Sequence, residues 1–286
     1  VASNTTTTST TADGAPESAP FRADIEGLRG VAIALVVLYH AGLALSGGFI
    51  GVDVFFVVSG FLITGLLLRD RERHGAIRFA TFYARRIRRL LPAALLVGVV
   101  TLVAADRLLS PLDRPAVSLD GAAAALSVTN IRFAITTDYF SPVGAPSPFL
   151  HFWSLGVEEQ FYLIWPALLA LAAIWRPRLG AAIILVVVFV GSLAASILVT
   201  EQSPASAFYL LPTRAWQLAA GGLLAVVAVG AGSFAGMPRI LVRLGRLVLA
   251  LAAWAALGVI GAVAVILDTS TPYPGLVALI PTVAAV

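Results

Sequence analysis

Apolar runs close to the thickness of a bilayer recur along the whole chain, and nothing else constrains its fold as strongly. They fall at about 28–46, 50–68, 90–109, 150–174, 179–199, 214–231 and 247–267, with an eighth beginning near 275. A helix needs about 20 predominantly apolar residues to cross the hydrocarbon of a membrane. The composition agrees: 59% of residues are hydrophobic and 12% are charged, where an ordinary soluble domain carries about a quarter charged residues. The fold class read from this pattern is all-α, a polytopic transmembrane helix bundle with about eight spans. Cysteine is absent, which removes disulfides, thiolate metal sites and a cysteine nucleophile from consideration.

The net charge of +4 raises the question of nucleic acid, but the positions of the bases answer it differently. All 19 basic residues are arginine. With a cytoplasmic N-terminus, the inner segments hold Arg22, Arg29, Arg69, Arg71, Arg73, Arg78, Arg85, Arg86, Arg88, Arg89, Arg176, Arg178, Arg239, Arg243 and Arg246. The outer segments hold only Arg107, Arg114, Arg132 and Arg214. That asymmetry is the positive-inside pattern of a multi-pass protein, so the bilayer is the expected partner and nucleic acid is not. Residues 1–20, Thr/Ser-rich and nearly free of apolar side chains, read as a disordered cytoplasmic tail before a transmembrane domain over 21–286. The sequence stops inside an apolar run too short to cross a bilayer, and a C-terminally truncated fragment is expected.

Ionisable groups inside apolar runs are expensive and mark candidate sites. In "DIEGLRGVAIALVVLYH", Arg29 and His40 share a helix face, with His40 about 16 Å further along. An arginine at the inner mouth below an imidazole suits an anion clamp beneath an acid/base group; a buried histidine bonded to a neighbouring helix is the alternative. In "GGFIGVDVFFVVSGFLITG", Asp53 opens a span, with Ser59, Gly60 and Thr64 further along. A carboxylate there serves either as a helix cap or in catalysis. The run Arg85, Arg86, Arg88 and Arg89 before Pro92 could grip phosphates with its guanidinium forks or anchor the chain to anionic lipid.

The richest stretch is "HFWSLGVEEQFYLIWP". His151, Ser154, Glu158, Tyr162 and Trp165 follow helical spacing and form one polar stripe, with Glu159 about 100° away. Two carboxylates near the outer end of an apolar helix must face a cavity or a partner. An interfacial aromatic belt explains Trp153 and Tyr162 but not the glutamate pair.

Taken in order, "FRADIEGLRGVAIALVVLYH", "GGFIGVDVFFVVSGFLIT", "FYARRIRRLLPA", "HFWSLGVEEQFYLIWP", "LLPTRAWQLAAGG" and "TPYPG" resemble the membrane acyltransferase-3 family of bacterial integral-membrane O-acyltransferases. The resemblance runs from Phe21 to the end of the chain. It implies about ten spans in the bacterial inner membrane, a cytoplasmic acyl-CoA donor (acetyl-CoA above all), and an envelope glycan or glycolipid hydroxyl as acceptor, with no metal. His40 matches the family's first-span histidine, and Arg29, Arg86 and Arg89 match arginines that handle the donor, in the run that includes Arg85 and Arg88. His151, Glu159, Tyr162 and Arg214 fall in the motifs expected to meet the acceptor. Where the family often has glutamate after Arg-Ala-Trp, this chain has Gln217. Many members add an extracytoplasmic esterase-like domain with a Gly-Asp-Ser motif, which this sequence does not contain.

The chemistry expected is acyl transfer, with His40 as base or acyl carrier and Glu158 or Asp53 orienting its ring, by the logic of a base held by a third group. The rival is a proton-coupled secondary transporter of an anionic solute, using the same intramembrane His, Glu and Arg. No internal repeat of the kind many transporters show relates the two halves.

Overall fold

Glycine and proline punctuate the apolar runs, and several helices begin or end beside them, although Pro92 and Pro166 lie inside helices. The computed structural model describes residues 22–43, 45–137, 139–140, 146–172, 174, 176–230 and 239–286; the expected tail over 1–20 lies outside the described residues. Among the described residues all regular structure is helical. Helix α1 spans Ala23–His40, and a 3₁₀ turn at Gly48–Ile50 leads into α2, Gly51–His74. Then come α3 (Phe79–Leu108), α4 (Arg114–Ala125), α5 (Thr129–Thr136) and α6 (Phe152–Ala172). The rest are α7 (Pro177–Gln202), α8 (Pro204–Tyr209), α9 (Leu211–Gly230), α10 (Arg239–Ile266) and α11 (Leu279–Ala285). Helix α2 stops at Gly75, whose φ of +75° suits a residue without a side chain and whose N–H caps the Arg71 carbonyl at 2.7 Å. Helices α7 and α8 open on Pro177 and Pro204, where the missing N–H costs nothing.

Among the described residues, five segments are long and apolar enough to cross a membrane: Gly48–His74, Phe79–Leu108, Pro177–Gln202, Pro204–Gly230 and Val242–Ile266. Helices α1, with 18 residues, and α6, with 21, are the other long ones. One expectation is corrected here. The first run, expected as a span to residue 46, is helical only to His40, because the chain turns at Ala41 and at Gly42 with φ +69°. The eighth run, expected to begin near residue 275 and to be too short to cross a bilayer, holds α11 of 7 residues. The long connection over 110–149 supplies α4 and α5.

Helix α2 is the centre of the bundle, with α9 against it, α7 against α9, and α1 antiparallel to α2. The α2–α9 crossing brings backbone against backbone. A Cβ on Gly60 would strike the Leu218 carbonyl, and one on Gly221 would strike the Val57 carbonyl. Gly48 and Gly51 similarly bring the start of α2 onto Leu35 and Ala32 of α1. Trp165 ties α6 to α2 by donating to Thr64 Oγ1 at 2.9 Å, both buried. On the outside, α3 exposes Leu95, Leu96, Val99, Val100 and Val103, and α10 exposes Leu247, Val248, Leu249, Leu251 and Trp254. Such continuous apolar faces are what hydrocarbon covers.

Antiparallel packing gives the bundle two unlike ends. At one, which we call the histidine end, α1 finishes and α2, α6 and α9 start. At the other, the arginine end, α1, α3 and α7 start and α2 and α9 finish.

Candidate active site

At the histidine end, the early stop of α1 leaves His40 as its last residue with an exposed ring. Its Nδ1 lies 2.7 Å from the Val36 carbonyl one turn back. A carbonyl only accepts, so in the neutral ring this nitrogen carries the proton and the lone pair sits on Nε2. That nitrogen faces the Tyr139 hydroxyl at 3.1 Å. The His151 ring stands edge-on to His40, centroids 4.4 Å apart. Tyr139 is 8% exposed and stacks on Phe208 at 4.1 Å, with Trp153 and Tyr209 around it. The result is a reachable imidazole with a fixed tautomer and a usable lone pair, held against a rigid phenol and a second imidazole. Such a nitrogen can take a proton or an acyl group.

Asp53 lies in the first turn of α2, 1% exposed. It accepts from Arg214 Nη1 at 2.8 Å, from Gln217 Nε2 at 2.5 Å and from the Tyr273 hydroxyl. Arg214, equally buried, also donates through Nε to the Phe208 carbonyl at 2.9 Å and lies 4.7 Å from the centre of that ring. A buried ion pair survives only when its remaining donors and acceptors are satisfied, and here three chain segments do so. This network fixes Phe208, the ring on which Tyr139 stacks. Asp53 and Arg214 are therefore brought together with each other, and they reach His40 indirectly, through Phe208 and Tyr139 on one side and through Tyr273, Phe49 and Tyr39 on another.

The glutamate pair sits deeper, about 10 Å beyond His151 along α6. Glu158 accepts from Ser59 Oγ at 2.5 Å, and Glu159 pairs with Arg86 at 2.7 Å. The Arg86 guanidinium lies 3.6 Å over the Tyr162 ring, and Tyr83 donates to the Leu163 carbonyl at 2.9 Å. These bonds stitch α3 to α6. They also split the arginine run: Arg86 is committed to Glu159 and Tyr162, whereas Arg85, Arg88 and Arg89 are exposed. Arg29 pairs with Glu26 on its own helix at 3.0 Å.

The ring of His40 is thus oriented by Val36 and Tyr139, and not by Glu158 or Asp53 as the sequence reading expected. The carboxylates found nearer partners: an arginine from α9 reached Asp53, and an α2 serine and an α3 arginine reached the glutamates. Tyr139 escaped the sequence reading altogether. It lies in an irregular connection where no helical period flags it, and its only signal is an isolated phenol in "TTDYFSP".

Similar proteins share much of this chain. The peptidoglycan O-acetyltransferase OatA of Listeria monocytogenes is 38% identical over 208 residues, covering 71% of this chain and 33% of OatA. YrhL of Bacillus subtilis, provisionally named for the same activity, is 38% identical over 211 residues, with coverage of 71% and 33%. BcsY of Komagataeibacter xylinus, provisionally named a membrane-bound transacylase, is 40% identical over 205 residues, with coverage of 71% and 50%. The chain therefore spans a third to a half of the length of these relatives. No solved structure matches it. The model of one family, the acyltransferase domain, matches residues 22–286, and the chain belongs to that family of multi-pass membrane proteins.

Proposed function

We propose that the chain transfers an acyl group, acetyl above all, from cytoplasmic acyl-CoA to a hydroxyl of an extracytoplasmic envelope glycan or glycolipid. The observation that carries this reading is the exposed His40 ring, protonated at Nδ1 by its bond to Val36 and leaving Nε2 to Tyr139 and the exterior. The relatives' names, two for peptidoglycan O-acetyltransferase activity, support the glycan acceptor. The arginine asymmetry supports an arginine end facing the cytoplasm and a histidine end facing out.

In the one-step form, the acceptor oxygen attacks the thioester carbonyl carbon, Nε2 takes the hydroxyl proton, the C–S bond breaks, and the proton passes to the leaving thiolate. In the two-step form, Nε2 itself bonds the acyl carbon as the thiolate leaves, and the acceptor hydroxyl then displaces the imidazole while giving its proton to a neighbouring base. His151 stands where it can take that proton. Tyr139 holds the ring and donates toward Nε2, or toward the carbonyl oxygen once Nε2 is occupied. Glu158, Glu159 and Tyr162 lie about two to three helical turns beyond His151 along α6, held by Ser59 and Arg86.

The test is transfer by purified protein in lipid nanodiscs, with acetyl-CoA as donor, followed by thiol release and by mass analysis of a glycan acceptor. His40→Ala should lower turnover by about 100-fold or more. Tyr139→Phe keeps the stacking and loses one hydrogen bond, and should lower it by about tenfold. Near-normal turnover by a folded His40→Ala protein would remove His40 from the mechanism.

A further inference from the structure

The arginine end carries two cavities that meet at one residue. The first, about 320 Å³, lies between the start of α1, the last turns of α2 and the end of α9, and is lined by Arg22, Phe61, Gly65, Arg69 and Glu72 among others. The second, about 580 Å³, lies between the end of α2 and the start of α7, and is lined by Arg71, Glu72, Arg176, Pro177 and Arg178 among others. Glu72 forms the ridge between them and is already neutralised by Arg178, at 2.7 and 3.2 Å. Arg22 is likewise paired, with Asp24. Arg69 and Arg176 have no carboxylate at ion-pair distance among the described residues. Each lobe therefore keeps a guanidinium with no carboxylate at ion-pair distance among the described residues, beside an apolar wall; Arg69 feels Glu72 only at longer range, and Glu72 is already held by Arg178.

We propose that the two lobes form one binding site for a ligand carrying phosphate groups, with Arg69 and Arg176 as the principal grips on either side of the Glu72–Arg178 ridge. Planar guanidinium forks match phosphate oxygens in pairs, and a divided pocket suits a ligand with more than one anionic group. Phe61 and Pro177 give the apolar surface against which an organic portion packs. The site is separate from the Arg85–Arg89 run, which lies on the outward-facing α3 and loses Arg86 to Glu159. It does not depend on the acyl-transfer reading, because any phosphate-bearing molecule on this side satisfies the same chemistry. A soluble diphosphate and an anionic lipid headgroup are the two sources.

The experiment titrates the full chain, in nanodiscs of zwitterionic lipid, with inorganic pyrophosphate and with ADP. It then repeats the ADP titration in nanodiscs containing phosphatidylglycerol. Arg69→Gln and Arg176→Gln should each weaken binding about tenfold, the size of one lost charge-assisted contact. Arg69→Lys should recover part of the loss, because the charge is kept and the fork is not. Arg243→Gln makes the same charge change on α10 and should shift binding less than about twofold. ADP affinity unchanged by phosphatidylglycerol identifies a soluble occupant; competition that disappears in Arg69→Gln identifies a lipid headgroup, and both support the site. The proposal is overturned if parent protein binds neither probe nor phosphatidylglycerol. It is equally overturned if Arg243→Gln weakens binding as much as Arg69→Gln does. Helicity and thermal unfolding of each variant separate lost binding from lost folding.

Discussion

Gln217 shows how one atom decides what a motif can do. Its amide nitrogen donates to Asp53 Oδ1 at 2.5 Å inside the buried network, while its own oxygen has no hydrogen-bond partner among the described residues. A glutamate of the same shape would set two carboxylates face to face unless they shared a proton. We therefore expect Gln217→Glu to lower thermal stability by about 1–3 kcal/mol, read by thermal unfolding in detergent with helicity as the signal. An unchanged unfolding temperature would mean that the network accepts a proton at no cost. The same scale explains His40. Its position at the last residue of α1 makes the ring accessible, and a hydrogen bond to a carbonyl that cannot donate fixes which nitrogen is available.

At the scale of elements, the crossing of α2 and α9 sets the distances on which the site depends. Glycines at 60 and 221 face the partner's carbonyls at Leu218 and Val57, so neither position has room for a methyl group. Adding one forces the helices apart and disturbs Arg214 and Gln217, which sit on α9 beside Leu218. Gly60→Ala should cost about 1–3 kcal/mol, the range of overpacked sites, and should lower acyl transfer although the residue touches no reactant. Gly258→Ala on α10 is the matched comparison, because a Cβ there meets nothing within 4 Å. Its unfolding temperature should stay level or rise slightly, since alanine favours helix over glycine. Equal losses in both variants would show that the crossing is not specially tight.

For the whole molecule, the Asp53–Arg214 pair joins segments distant in sequence: the start of α2, the start of α9 and the Tyr273 stretch between α10 and α11. Removing one partner leaves a buried charge unpaired, so Asp53→Leu or Arg214→Met alone should cost about 3–5 kcal/mol. Replacing both should cost clearly less than the sum. A double-mutant cycle on unfolding temperature, with each variant in the same detergent, measures that coupling. Strict additivity would show that the two residues act independently. Because the same network fixes Phe208 beneath Tyr139, the single variants should also lose acyl transfer beyond what their folded fraction explains.

Hydrophobic runs, their lengths and the placement of arginine are one-dimensional properties, and the sequence by itself determined from them an all-helical, multi-pass bundle. Motif order likewise pointed to the acyltransferase family, and helical spacing put His151, Glu158 and Tyr162 on one stripe. Pairing is different, because it depends on which helix packs against which and at what depth. Only the tertiary structure decided that Asp53 would meet Arg214, that Arg86 would cross to Glu159, and that Tyr139 from an irregular connection would reach His40. An apolar stripe fixes which face of a helix is buried, but every apolar partner satisfies it about equally well. Close glycine contacts and a few buried polar atoms, each needing one particular partner, select the arrangement that forms the site.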